Sequence, residues 1–429
     1  MNKLLRSTLV AATLLLLSFA AKAQFLMDMV DTTKEIGKGM LGLYKKFDHI
    51  RINGYIQPQF QAIQTKGAKS FNGGDFPADV NNRFMLRRGR LRFEYARLND
   101  KNQPQVQFVF QFDGTERGVF IRDFWGRFYE NKFQNFSGTV GMFARPFGYE
   151  LNLSSSDRES PERGRMTQIL MKTERDLGAM ISFEPRKKTH PLKNFRWDLG
   201  VFNGQGLTAT ADYDSYKDII SRIALKPIKL NKALTLSAAI GTLQGGWIEK
   251  DSTRYTMGNN AFTSTKSGSN VNSKAPRKYY EADAQLKLKT KAGATEIRAE
   301  YWWGTQSGSS STTETPGTLL KEPVYVRNFN GAYFYFLTNI VNTHHQIGIK
   351  YDWYDPNSKI SGTAIGNNNN INATNIKYST LGFGYTNYIN ENLKLVLWYE
   401  IINNEKTSLA GYTSDVKDNV FTCRVQFRF

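Results

Sequence analysis

Strict alternation of polar and apolar residues, repeated from one end of the chain to the other, is the feature that most restricts this sequence. Between Glu281 and Lys289 it places Ala282, Ala284, Leu286 and Leu288 on one face of an extended strand and Glu281, Asp283, Gln285, Lys287 and Lys289 on the other. After a turn near Thr290–Ala294, Ile297, Ala299, Tyr301 and Trp303 oppose Glu296, Arg298, Glu300 and Trp302. The same pattern sets Val106, Phe108, Phe110 and Phe112 against Gln105, Gln107, Gln111 and Asp113, and Ile347, Ile349, Tyr351 and Trp353 against Gln346, Lys350 and Asp352. It marks both ends as well. Ile50, Ile52, Ile56 and Phe60 oppose Arg51, Asn53, Tyr55, Gln57, Gln59 and Gln61, and Phe421, Cys423, Val425, Phe427 and Phe429 oppose Thr422, Arg424, Gln426 and Arg428.

A chain of two-sided strands needs a solvent for each face. About sixteen such runs occur, an even number, and the links between them alternate between short and long, the pattern of outer-membrane barrels with tight periplasmic turns and longer external loops. Only the link near 114–119 is short where a long one is expected. The expected fold is all-β: a transmembrane antiparallel β-barrel of about sixteen strands over residues 49–429, with long external loops. Segments such as TSTKSGSNVNSK from Thr263, SGSSSTTETPG from Ser307 and GNNNNINATN from Gly366 are rich in turn-forming polar residues and read as solvated loops.

The first 23 residues read as a signal peptide: Lys3 and Arg6 precede an apolar run from Leu9 to Phe19, and Ala21-Lys22-Ala23 supplies a small-residue cleavage site. That run is too short to span a bilayer as a helix, and no later stretch reaches the roughly 18 apolar residues required. Residues 24–48 form an N-terminal periplasmic segment in which Met29, Ile36, Met40, Leu43 and Phe47 have the spacing of a short amphipathic helix.

Charge and the scarcity of reactive side chains narrow the chemistry. The chain carries 57 Lys and Arg against 38 Asp and Glu, an excess that favours anionic partners. An exported protein meets small anions and lipid, not nucleic acid. One cysteine, Cys423, leaves no disulfide and no thiolate pair. Gly37, Gly39 and Gly42 spell a G-x-G-x-x-G without a preceding strand, and Asp212, Asp214 and Asp218 lack the glycine and closing glutamate of an EF-hand. His344 and His345 fall on opposite faces of a strand and cannot jointly clamp a metal. No cofactor is expected. An outer-membrane hydrolase would need a nucleophile beside a base and its orienting partner. With four histidines and no serine signature, no enzyme is expected. A closed surface-binding barrel is the other alternative, and sixteen strands enclose a bore wide enough for water where eight do not.

If the apolar faces meet lipid, the polar faces line a lumen. Its basic residues are Arg51, Arg88, Arg90, Arg92, Arg196, Arg222, Lys287, Lys289, Arg298, Lys350, Lys394, Arg424 and Arg428, and its acids include Glu94, Asp198, Asp283, Glu296, Glu300 and Glu400. Arg88, Arg90 and Arg92 lie two residues apart, about 6–7 Å along one face. Such a row can pass an anion from one guanidinium to the next, or pair with Glu94 and neighbouring acids to stiffen the wall. The link from Arg145 to Arg175 carries Arg145, Arg158, Arg163, Arg165 and Arg175 beside nearly as many acids. Its length and ionic content suit a constriction loop folded into the lumen, and would equally suit an exposed one.

RINGYIQPQFQ, RRGRLRFEY, VQFVFQFDG, GMFARPFGYELNLSSSDRESPERG and the terminal phenylalanine together resemble the phosphate-selective porins O and P. That resemblance covers most of the mature chain. It implies a trimeric barrel of sixteen strands whose third loop folds inward and whose lumenal Arg and Lys bind phosphate or related anions. Arg88, Arg90 and Arg92 match the arginine-rich second strand, and the loop arginines match in kind. Phe429 looks like the residue read by the barrel-assembly machinery. The expectation is an outer-membrane porin for small anions, phosphate foremost, with a general porin for other small nutrients as the alternative.

Overall fold

In a computed structural model that describes residues 49–367 and 371–429, the chain forms sixteen wall strands joined edge to edge. The expected signal peptide and the segment 24–48 lie outside the described residues. The wall runs β1 (Ile50–Ile63), β2 (Asn82–Leu98), β3 (Pro104–Thr115), β4 (Gly118–Tyr129), β5 (Phe136–Ala144), β6 (Arg175–Phe183), β7 (Phe195–Phe202), β8 (Asp218–Lys229) and β9 (Leu234–Ile248). A short hairpin, β10 (Thr253–Met257) and β11 (Phe262–Lys266), interrupts it. The wall then continues through β12 (Lys274–Thr290), β13 (Gly293–Gly308), β14 (Val324–Asn339), β15 (His345–Asp355), β16 (Tyr378–Tyr388), β17 (Leu393–Asn404) and β18 (Val420–Arg428). All wall neighbours with a printed register are antiparallel, β9 pairs across the hairpin with β12, and β1 pairs with both β2 and β18. No edge is left open, as a spanning sheet requires where lipid cannot satisfy backbone groups.

The alternation resolves as expected. Ile56, Phe110, Val140, Ile181, Ile240, Ile297, Phe334 and Ile349 are exposed on the outer face, while Gln57, Gln59, Gln111, Asp198, Glu281, Arg298, Lys350 and Arg424 are buried inside. Tyr280, Tyr301 and Trp303 stack on the outside, with ring centroids 5.8 and 5.4 Å apart, and Trp353 continues the row beside Phe334. Such an aromatic girdle marks a membrane interface. With the apolar belt, it makes this an outer-membrane barrel.

At the seam, Gly54 and the terminal Phe429 exchange backbone hydrogen bonds of 3.3 and 3.1 Å. Gly54 is fixed by close approach, because a Cβ there would collide with the Arg90 carbonyl and the Phe429 ring.

Two departures from the sequence reading lie outside the membrane belt. The hairpin β10–β11 occupies part of the link expected to be a solvated loop, and β10 runs parallel to the start of β14, Arg254–Thr256 beside Val324–Val326. That strand begins earlier than the alternation suggests. Val324, Tyr325, Val326 and Arg327 are buried in succession, covered on both faces, so period two vanishes from the sequence where it remains in the backbone. The short link at 116–117 between β3 and β4 is the exception expected among the external loops.

Candidate functional site: a loop-filled, arginine-lined lumen

The link between β5 and β6 folds into the barrel and carries two short helices, α1 (Tyr149–Asn152) and α2 (Arg165–Leu170). The Glu300 carboxylate on β13 accepts the backbone N–H groups of Tyr149 and Glu150 at 3.1 and 2.8 Å, satisfying donors that open α1. Glu150 in turn accepts from Gly164 N at 2.9 Å and Thr167 Oγ1 at 2.8 Å, and faces Lys350 Nζ at 3.3 Å. One buried carboxylate therefore ties the two ends of the loop's inner turn to β15.

Wall residues then hold the loop along its length. Tyr55 and Ser155 share a 2.6 Å hydroxyl hydrogen bond, Lys394 Nζ donates to Ser156 O at 2.6 Å, and Ser160 and Tyr335 hydroxyls meet at 2.6 Å. Arg298 grips Glu159 through two bonds of 2.8 and 3.0 Å. Glu162 is held by Arg87 at 2.9 Å, Arg88 at 2.6 Å and Arg424 at 2.9 Å. Burial pushes the Glu162 carboxyl upward, but these three guanidinium groups hold it well below the ordinary carboxylate range. Glu174 shows the same balance: burial raises it, and Arg122, Arg163 and Arg175 hold it well below.

The opposite side of the loop is apolar. Phe147, Leu151, Met166 and Leu170 pack against Tyr279, Trp302, Phe329 and Tyr354 of the wall in one buried cluster. Phe147 meets Trp302 edge to face at 4.7 Å. At roughly 1.5–3 kcal/mol for each large side chain buried, this contact seals that part of the bore and makes the loop a fixed structure.

Two adjoining cavities lie between the loop and the wall from β18 through β1 to β8. One, of about 280 Å³, is lined by Arg90, Arg92, Arg122, Arg175 and Arg428, with Glu174 and Asp157 as its acids. The other, of about 290 Å³, has Arg92, Arg127, Arg175, Arg196 and Arg222 against Asp123 and Asp198. They share Arg92, Ala144, Asn152 and Arg175. Most of these cations are already paired: Arg90 with Asp113 at 2.9 Å, Arg122 with Glu174 at 2.5 Å, Arg175 with Asp123 at 3.1 Å and Arg196 with Asp198 at 2.8 Å. Arg222 reaches Glu281 at 3.0 Å and also bonds Asp283. Arg92 has only a 3.4 Å contact to Glu94, and Arg127 has no carboxylate within ion-pairing distance among the described residues. The open surface of the two cavities is thus cationic, with its strength moderated by internal pairing.

The residues singled out from sequence distribute unevenly over this arrangement. Arg90, Arg92 and Arg175 line the open cavities, whereas Arg88 is buried in the Glu162 clasp. Arg51, near the start of β1, is exposed. Arg145 is buried, donating to the Thr173 carbonyl and lying 4.0 Å from Asp176. Arg158 is buried and donates to Leu153 O at 3.2 Å, and Arg163 faces Glu174 at 3.5 Å. Arg165 opens α2 at the external mouth, its guanidinium 4.5 Å from the Phe71 ring and 3.5 Å from that of Tyr378. Phe429 is exposed at the seam.

Arg87, Arg122, Arg127 and Trp125 are additions that sequence reasoning missed. A change of inward parity in β2 and a bulge in β4 explain the first two. In β2 the inward positions change parity between Arg87 and Arg88, so both reach Glu162. In β4 a bulge leaves Arg122 unpaired between Ile121 and Asp123, so Arg122 reaches Glu174 while its neighbour Asp123 binds Arg175. Trp125 and Arg127 continue the Asp123 phase, and that short alternation was legible in DFWGRFY.

Sixteen antiparallel strands around an inward loop define the bacterial outer-membrane porin fold. Among solved structures, the outer-membrane channel DcaP of Acinetobacter baumannii superposes with a TM-score of 0.53 at 12% identity, covering 89% of this chain and 97% of that one. Salmonella typhi OmpF, solved in complex with daunomycin, gives 0.49 at 10% identity over 89% and 97%. OprB of Pseudomonas putida gives 0.46 at 8% over 92% and 97%. The likeness to DcaP establishes the fold. No family model matches the sequence, and no curated protein matches it significantly.

Proposed function

We propose that this chain is an outer-membrane channel for passive diffusion of small anions, phosphate among them. The observation that carries the reading is the surplus of arginine over acid around the two cavities beside the loop, since a pore lined by Arg attracts anions and releases them between neighbouring sites. The arginine-rich second strand and its resemblance to phosphate-selective porins O and P add support. The same resemblance supports a homotrimer and recognition of Phe429 by the barrel-assembly machinery. Internal ion pairing argues for moderate selectivity.

Planar-bilayer recording of the purified protein tests the proposal. A salt gradient should give a reversal potential on the anion side, phosphate should partly block chloride current, and Arg90→Gln with Arg92→Gln should weaken that block. Cation preference, or no conductance, would overturn the reading. Turnover of ester or peptide substrates by the intact protein would favour a hydrolase instead.

A further inference from the structure

The cavity of about 290 Å³ is not uniformly polar. The partly exposed ring of Trp125 lines it together with its arginines, backed by the buried Phe143, Pro146 and Met180, so a passing solute meets an aromatic face beside positive charge. Among the described residues, Trp125 is the only tryptophan lining either cavity. The guanidinium carbons of Arg127 and Arg92 lie 5.0 and 6.0 Å from its ring centroid, within reach of a cation–π interaction. These are also the two cavity arginines least satisfied by acids. Arg127 donates from Nε to Thr139 Oγ1 at 2.7 Å, which fixes its plane and leaves its terminal amino groups for a ligand.

Inorganic phosphate makes poor use of such a surface, because its charge must shed water against apolar walls that return no hydrogen bond. A carboxylate attached to a ring uses both parts: its two oxygens match a guanidinium fork, and its body covers the exposed part of the Trp125 ring, removing apolar surface from water. We infer that the Arg92–Trp125–Arg127 wall is a binding subsite for organic carboxylates with an apolar, ring-bearing body. This rests on the anion-channel reading above and names the solute class that the channel retains best.

Benzoate, acetate and inorganic phosphate, each added to single channels carrying chloride, provide the test. Benzoate should block at a concentration at least about tenfold below that of acetate or phosphate, the factor corresponding to roughly 1.4 kcal/mol from one covered ring. Trp125→Ala should erase the difference between benzoate and acetate while the reversal potential stays on the anion side. Trp125→Phe, which keeps an aromatic face and disturbs packing less, should retain part of it. Arg127→Gln should weaken block by benzoate more than by phosphate. Equal block by benzoate and acetate in the unaltered protein, or a preference that survives Trp125→Ala, would overturn the subsite and leave the anion channel standing. A cation-selective channel would remove the anion-channel reading as well.

Discussion

The lumen has two halves built from the same alternating strands, and they do opposite things. Along β12–β15 the inward side chains include Tyr279, Trp302, Phe329 and Tyr354, which the loop covers with Phe147, Leu151, Met166 and Leu170. Along β2–β8 they include Arg90, Arg92, Arg122, Arg127 and Arg222, and space remains. An inward position is therefore not by itself a pore-lining position. Whether it becomes core or channel depends on where the loop is anchored, and that is decided by carboxylates on the loop meeting cations on the wall.

The strongest way to break this division is to unfasten the clasp. Glu162→Gln leaves the buried Arg88 and Arg424, and the partly exposed Arg87, without their shared counter-ion, a change expected to cost about 3–5 kcal/mol. The thermal unfolding midpoint should fall, and single channels should show larger, noisier conductance as the loop leaves its seat. Unchanged conductance would mean that the apolar contact and the remaining polar anchors seat the loop without this clasp.

A smaller effect is expected from the other side. Leu170→Ala opens a gap in the buried cluster away from both cavities and should cost about 2–3 kcal/mol, toward the low end for such truncations because the site can partly collapse. Calorimetry should register the loss while the reversal potential stays as in the unaltered protein. A shift in ion preference would show that the two halves are not independent.

Selectivity should respond to residues that hold nothing in place. Arg92→Gln with Arg127→Gln should lower the anion-to-cation permeability ratio roughly two- to threefold, with stability within about 0.5 kcal/mol. Reversal potentials and melting curves on the same preparation separate the two effects.

The smallest effect is expected from mild acid. Because Glu162 and Glu174 are held well below the ordinary carboxylate range, their stabilisation is complete above the unfolded value of about 4.3 and disappears only as pH falls through the lower folded values. Conductance should keep its neutral-pH amplitude down to about pH 4.3 and change below it. Loss of the docked state near pH 6 would assign loop docking to other groups.

Much of this was legible in the sequence because lipid and lumen impose opposite demands on successive residues. The inward face of β13, with Arg298, Glu300 and Trp302, and the outward row of Ile297, Tyr301 and Trp303, appear as read. Legibility failed where a segment has covering on both sides, as at Val324–Arg327, or where register slips, as at Arg87 and Arg122. The direction of the loop was undetermined because Glu150, Glu159 and Glu162 would be equally at ease in water. Only the distant Lys350, Arg298 and Arg424, brought across the barrel by its closure, give them a reason to turn inward.

The slips at Arg87 and Arg122 have an evolutionary consequence. A regular barrel strand offers its interior one side chain in every two, so its chemistry can change only by exchanging letters. A strand that gains or loses a single residue redirects every side chain up to the next irregularity, converting oily positions to ionic ones together. Two strands of this wall, β2 and β4 on either side of β3, carry such an offset next to the opening, so a short insertion or deletion there could retune what the passage admits while the rest of the cylinder keeps its form.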